Sequence, residues 1–372
     1  MLRRTLLKQS LASTAALAFP AIAQSRPLVI GQSAAFTGPA AQLGVQMNAG
    51  AKLWFDQVNA NGGINGQQIE LRTADDGYEP DRCKANTEKF IKDDVFALFG
   101  YVGTPTCAAA LPLINQARMP LFAPFTGAEI LRDPSLRSVF HVRASYYDET
   151  ELIIKQLASL GLTKIAVFYQ NDAYGKAGLE GTLRALRRRS LEPVATATVE
   201  RNSVDVAKAV AEIMPKQPNA VVQISAYKSC AAFIRESRKA GFGGSFFNVS
   251  FVGTQALADE LKADGAGVMI SQVMPFPYTA SLPVTREFQA AAAKTGVQVN
   301  YSSLEGYLAA KVFTEGLRRT QRSASRDQFI ESLESIQRQD FGGFVVDFGP
   351  RDHVASSFVD LSMLTGDGKV RR

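Results

Sequence analysis

Histidine is almost missing from this chain: two residues in 372, His141 and His353. That scarcity argues against a histidine-based zinc centre. Catalysis needs a nucleophile with a base, an acid–base pair or a metal, and here the materials are thin. His141 falls inside the strand-like run SVFHVRAS and reads as structural. His353 falls in the loop GPRDHVAS with no nucleophile pattern near it, and no G-x-S-x-G elbow occurs. Asp75 and Asp76 are adjacent along a strand and so point to opposite faces, which suits support of the turn before Tyr78 better than paired acid–base work. Cysteine occurs three times, at Cys83, Cys107 and Cys230, without a CxxC pair. No basic stripe interleaves with aromatics, so no nucleic-acid partner is expected. Beyond the first two dozen residues no apolar run reaches transmembrane length. A hydrolase is the least favoured of the function classes, and no cofactor or metal is expected.

What is present begins with an export-like segment. MLRRTLLKQS is a positive start, and LASTAALAFPAIA is a short apolar stretch ending in the A-x-A pattern Ala21-Ile22-Ala23. Residues 1–23 therefore read as a signal peptide for the Sec route. Arg3-Arg4 followed by Leu6, Leu7 and Lys8 resembles a twin-arginine signal as well. Residues 1–23 carry three of the positive charges, so the formal net charge of +6 falls by half without them. The mature chain is expected in the periplasm. Three cysteines suit an oxidising compartment with one bridge and one spare thiol. Cys83 and Cys107 lie near the starts of helices that follow adjacent strands, and a Cys83–Cys107 disulfide is expected there.

The rest of the chain, 46% hydrophobic and 20% charged, alternates strand-like runs with helical patterns. PLVIGQSAAF (27–36) reads as a strand. A helix over about 41–60 follows, with Leu43, Met47, Trp54 and Val58 on one face. Gly62, Gly63 and Gly66 stop it; they follow a helix and precede a strand, the reverse of a phosphate-cradling loop. Further strands are expected at 95–99, 119–124, 138–144, 164–170, 193–200, 220–226, 245–251 and 267–273. The helices between them are expected at 81–93, 105–118, 148–160, 175–189, 203–214 and 228–240. Helices near 283–295, 302–320 and 326–336 and a short-stranded tail complete the chain. Repeated β-α-β units imply an α/β protein of two Rossmann-like lobes with mostly parallel sheets. The first lobe is read as 24–144 plus about 277–342, the second as 145–276 plus about 343–372, joined by several crossings.

In a parallel sheet, ligands bind outside the carboxyl ends of strands. FGYVGTPT (99–106) sits there, with Thr104 read as a helix N-cap and Pro105 as the first helical residue. The next such turn, APFTGAEI (123–130), places Phe125, Thr126 and Gly127 beside it. Hydroxyls and free amides at two adjacent helix starts suit a carboxylate.

These segments, with AAFTGPAAQLG, NANGGINGQQIEL, ADDGYEPDR, QNDAYGKAG and SLEGYLAAKVF, resemble the Leu/Ile/Val-binding family of bacterial solute-binding proteins. The resemblance covers nearly all of the mature chain. It implies the type I periplasmic-binding fold and service to an ABC importer, with the closed form docking on a membrane permease. It also implies that Thr104 holds a ligand carboxylate, aided by Phe125, Thr126 and Gly127. Tyr174 and Tyr227 then face them from the second lobe, and Tyr101 joins the aromatic lining. Two departures stand out. Family amino-acid binders often carry a glutamate where this chain has Ser250, to hold the ligand ammonium, and an aromatic where it has Leu43. Either another acid substitutes, with Glu305, Asp148 and Glu129 as candidates, or the ligand lacks a free α-ammonium. The expected activity is hinged capture of a small carboxylate-bearing molecule, an amino acid or a related compound, by a monomer that is not an enzyme. A periplasmic sensor docking on a signalling receptor is the alternative.

Overall fold

The computed structural model describes residues 26–372, so the expected signal peptide lies outside the described residues. The first sheet is wholly parallel. Its strands are β1 (Leu28–Ala34), β2 (Ile69–Asp75), β3 (Ala97–Phe99), β4 (Leu121–Phe122) and β5 (Val139–Phe140), in the order β2-β1-β3-β4-β5. Between them run α1 (Ala41–Ala60), α2 (Pro80–Lys92) and α3 (Thr104–Gln116).

The chain then crosses to a second lobe. It supplies α4 (Tyr146–Ser159), β6 (Ile165–Gln170), α5 (Ala173–Arg187), β7 (Ala195–Val199), α6 (Ala207–Ile213) and β8 (Ala220–Ile224). Next come α7 (Tyr227–Lys239), β9 (Ser245–Asn248), α8 (Thr254–Leu261) and β10 (Met269–Gln272). It returns through α9 (Pro283–Thr295), α10 (Tyr301–Arg318), α11 (Arg326–Glu334) and a ribbon of β11 (Gln339–Asp340) and β12 (Val345–Val346). A last crossing lets β13 (Asp360–Leu364) and β14 (Val370–Arg371) finish the second sheet, in the order β14-β13-β10-β9-β8-β6-β7. Those two strands are antiparallel and the rest of that sheet is parallel.

Local signals explain the elements. Leu43, Met47, Trp54 and Val58 are all buried, as one helical face should be. Ser145 with Asp148, Asn300 with Ser303, and Ser325 with Gln328 form capping boxes at α4, α10 and α11. α1 and α10 pack closely because Gly50 has no side chain: a Cβ there would lie 1.8 Å from the Ser303 carbonyl oxygen. Trp54 Nε1 donates to Thr314 Oγ1 at 2.8 Å across the same seam.

The structure also departs from expectation. The sequence pattern gives no helix between the strands at 245–251 and 267–273, yet α8 forms there; at eight residues it is too short for its periodicity to stand out. The runs 119–124 and 138–144 keep only two paired residues each, and GAEILRD makes one 3₁₀ turn, Glu129–Leu131. Residues 343–355, assigned by sequence to the second lobe, lie against the first. His141 donates its N–H to the His353 carbonyl, Ala355 donates to the His141 carbonyl, and the Phe348 ring packs edge-on to Phe140.

The expected Cys83–Cys107 bridge is not made. Both are free, buried thiols in a small apolar cluster with Phe90, Leu98 and Tyr101, apart from the main core. The Thr87 hydroxyl donates to the Cys83 carbonyl at 2.8 Å, and burial pushes both thiols upward.

Candidate functional site

The carboxyl ends of the two sheets face one another, and the turns that follow the strands meet there. In the first lobe Gly103, at φ 102°, starts α3. A Cβ on it would lie 2.2 Å from the Tyr78 ring, so only glycine lets that ring lie against the turn. Thr104 is the first helical residue rather than the cap. Its hydroxyl pairs with that of Thr126 at 2.7 Å. The two turns are zipped together: Phe125 N–H donates to the Tyr101 carbonyl at 2.7 Å, and Gly103 N–H to the Phe125 carbonyl at 3.2 Å.

Tyr78 reaches this place by a strained route, with φ at 65°. Asp76 fixes it, accepting the Tyr78 N–H at 2.8 Å and the Ser33 hydroxyl at 2.7 Å. Burial pushes the Asp76 carboxyl up to about 6, against those two bonds. Asp75 braces the turn after β1, accepting N–H groups from Phe36 and Gly77 and the Thr37 hydroxyl.

The second lobe answers with rings. Asp172 caps α5 and places Tyr174 in its first turn. Phe251 lies in the 3₁₀ turn after β9. Its ring centroid is 4.4 Å from Tyr174, 5.7 Å from Phe125 and 5.8 Å from Tyr78, while Tyr146 lies 5.4 Å from Tyr174. All four are tilted contacts rather than face-to-face sandwiches, which aromatic pairs avoid. Tyr227 starts α7, buried, with its phenol beside the backbone of Gln42 across the junction. Leu43 lies against Gly253, also across the junction.

At the heart of the junction are three buried charges. Arg143 sits on the first crossing, 1% exposed, with its guanidinium 4.4 Å over the Phe125 ring. Its Nε is 3.0 Å from Glu305 Oε1, and its Nη2 donates to Glu305 Oε2 at 3.3 Å and to Ser250 Oγ at 2.8 Å. Glu149 accepts from the Ser250 N–H at 2.6 Å, the Ser250 hydroxyl at 3.0 Å and the Ser271 hydroxyl at 2.6 Å. Burial pushes Glu305 up to about 7, though Arg143 pulls the other way, and it raises Glu149 as well. Burial opposes the charge on Arg143, but Glu305 and Glu149 outweigh it and hold the guanidinium more firmly protonated. Arg132 donates to the carbonyls of Arg143 and Ala144, tying down the crossing.

Farther out the lobes are joined by Gln170 to the Tyr78 hydroxyl (3.2 Å), Arg201 to Glu79 (2.8 Å), and Asn202 to Glu79 and the Gly77 carbonyl. One apolar cluster runs through both lobes, so the structure is of the closed form.

The structure thus brings together Thr104, Phe125, Thr126, Tyr174, Ser250 and Glu305, with Leu43 and Tyr227 at the rim. Gly127 contributes its carbonyl to the Tyr146 N–H at 2.8 Å, so it positions rather than lines. Tyr101 does not join the junction. It falls on the opposite face of the sheet, bonded to Thr87 beside Cys83 and Cys107. Asp148 and Glu129 are spent or displaced: Asp148 caps α4, and Glu129 lies in the 3₁₀ turn. Sequence reading missed Tyr78, Arg143, Tyr146, Glu149 and Phe251. Tyr78 and Phe251 each end a turn that had been singled out, and that was the available signal. Among the described residues no cluster of three or more His, Cys, Asp or Glu is placed to hold a metal ion. The His141 ring instead meets the Leu131 carbonyl, and His353 stacks on Phe140 beside Glu334.

Comparison with known proteins agrees with this fold. The family model described as "Periplasmic binding protein" matches residues 27–369. The crystal structure of a possible leucine/isoleucine/valine-binding protein from Rhodopirellula baltica superposes with a TM-score of 0.89 at 32% identity, covering 94% of this chain and 96% of that one. A substrate-binding periplasmic protein from Ralstonia solanacearum gives 0.87 at 32% identity, with 92% and 99% covered. Leu/Ile/Val-binding protein homolog 7 of Brucella melitensis is 25% identical over 322 residues, 82% of this chain and 80% of that protein.

Proposed function

The chain belongs to the periplasmic binding protein family, and from that premise we propose that it is the solute-capturing component of an ABC importer, taking a small carboxylate-bearing ligand between its lobes. The observation that carries this is the meeting of two sets of strand-end turns. Thr104 and Thr126 present hydroxyls from one side, and Tyr174 and Phe251 present rings from the other. A mostly apolar wall with a few fixed polar groups is how small-ligand sites are built. The three crossings at 141–145, 273–282 and 347–359 form the hinge. Opening parts the two sets of turns and admits the ligand; closure removes water from it. The Thr104 and Thr126 hydroxyls and the amides that start α3 hold its carboxylate. Tyr174, Tyr227 and Phe251 close over its body. The closed form, in which the Arg201–Glu79 and Asn202–Glu79 contacts are made, is the one that docks on the permease.

The test is to screen carboxylates by thermal shift and follow a hit by small-angle scattering. A ligand at a hundred times its dissociation constant adds about 2.7 kcal/mol of stability, and the radius of gyration falls as the lobes close. A stabilising ligand whose density lies away from the junction in a co-crystal overturns the reading.

A further inference from the structure

We propose that the ligand is a carboxylic acid with an apolar body and no ammonium group, and that Arg143 supplies one of the donors that hold it. This rests on the interlobe capture reading above. An ammonium buried between the lobes needs a carboxylate oxygen free to accept from it, because an unmatched buried charge is strongly disfavoured. The position suited to that role carries Ser250. Three acids are buried at or beside the junction and the oxygens of each are engaged, those of Asp76 by the Tyr78 N–H and the Ser33 hydroxyl. Glu149 Oε2 takes the Ser250 N–H and the Ser271 hydroxyl, and its Oε1 takes the Ser250 hydroxyl. Both oxygens of Glu305 face Arg143. Burial also drives both glutamates toward their neutral forms, which removes negative charge an ammonium would use.

The unspent charged group is on the donor side; the unpartnered acceptors beside the junction, Gln170 Oε1 and Ser225 Oγ, are neutral and supply no counter-charge to an ammonium. Arg143 Nη1 is buried with no hydrogen-bond partner, and it belongs to a guanidinium that lies over Phe125, the residue next to Thr126 in the turn that presents its hydroxyl. A buried guanidinium nitrogen without an acceptor is matched by an anionic oxygen, through a charge-assisted bond. Phe125 lies under the guanidinium, Phe251 packs on Phe125, and Tyr174 and Tyr78 pack on Phe251, so ring surface runs on from that point. The complement is an aryl or branched alkyl carboxylate.

Matched probes that differ only in the α-ammonium decide it. The full mature chain is titrated by calorimetry with leucine against 4-methylpentanoate, and phenylalanine against 3-phenylpropanoate. The ammonium-free member is expected to bind at least tenfold more tightly in one pair or both. Arg143→Lys is expected to weaken that binding at least tenfold, because lysine keeps the charge but not the fork. Tighter binding of the amino acids overturns the inference and leaves interlobe capture standing. Binding of no carboxylate, with scattering unchanged throughout, overturns both. The ratios are read on the unmodified chain, so they decide the question even if Arg143→Lys fails to fold.

Discussion

The first lobe reaches the junction with hydroxyls from a zipped pair of turns, the rings of Tyr78 and Phe125 and the Glu305 carboxylate, the second with the rings of Tyr146, Tyr174 and Phe251 and the Glu149 carboxylate. Both are β-α-β sheets, and both use the turns after their strands. Yet Thr104 and Thr126 sit in a turn pair zipped by main-chain hydrogen bonds, whereas Glu149 is held by serines from three-dimensional neighbours, Ser250 and Ser271. The difference teaches where each lobe is vulnerable. The first lobe's site depends on backbone that its own sheet enforces. The second lobe's site depends on a buried charge whose partners come from separate elements.

The largest effect is therefore expected in the second lobe. Glu149→Leu leaves the Ser250 N–H and hydroxyl without an acceptor, leaves Ser271 only the Asn248 carbonyl, and takes a counter-charge from Arg143. It should cost about 3–5 kcal/mol, as removal of one member of a buried charged set does. Denaturant unfolding checks this; a loss below about 1 kcal/mol would show that the serines find other partners. Next comes the pH dependence of Glu305 in the first lobe. Its folded value, about 7, lies above its ordinary 4.5, so the folded state binds its proton more tightly than the unfolded one. Its contribution is full below about 4.5 and is lost as pH rises through 7. The stability of the unmodified chain should fall relative to Glu305→Gln across that window, by at most on the order of 3 kcal/mol. Parallel curves would refute the shift. A smaller effect belongs to Thr126→Val, which removes the Thr104 bond while the backbone zipper stays; about 1 kcal/mol is expected. Equal losses from Thr126→Val and Glu149→Leu would erase the contrast between lobes. The smallest effect is that of Arg201→Ala. It breaks partly exposed ion pairs to Glu79 and Asp172, so the melting point should barely move. The ligand-free chain should nevertheless scatter as a more open particle.

The sheets were legible because a β-α-β chain repeats its signal. Buried strands make apolar runs, and helices bury one face, as Leu43, Met47, Trp54 and Val58 do. The place of the first lobe's half of the candidate site was legible for the same reason, since Thr104 and Phe125–Gly127 sit at predictable strand ends. The charged set was not. Arg143 lies on a crossing, Glu149 inside α4 and Glu305 inside α10, and nothing local marks a helical glutamate as buried. Only the folding of distant segments onto one point distinguishes Glu149 from its neighbour Asp148, which merely caps the helix. Tyr101 failed for a simpler reason: Gly100, at φ 60°, precedes it, and the ring lands on the outer face of the sheet.

The manner in which β13 and β14 complete the second sheet has a consequence for biogenesis. They are drawn from residues 360–371 and cover the outer edge of β10. Until that stretch has left the ribosome, the second lobe carries an uncovered strand edge, which is a template for unwanted pairing. The first sheet, complete by residue 140, is not subject to this delay. Nascent chains stalled before residue 360 should accordingly show protease resistance confined to the first lobe.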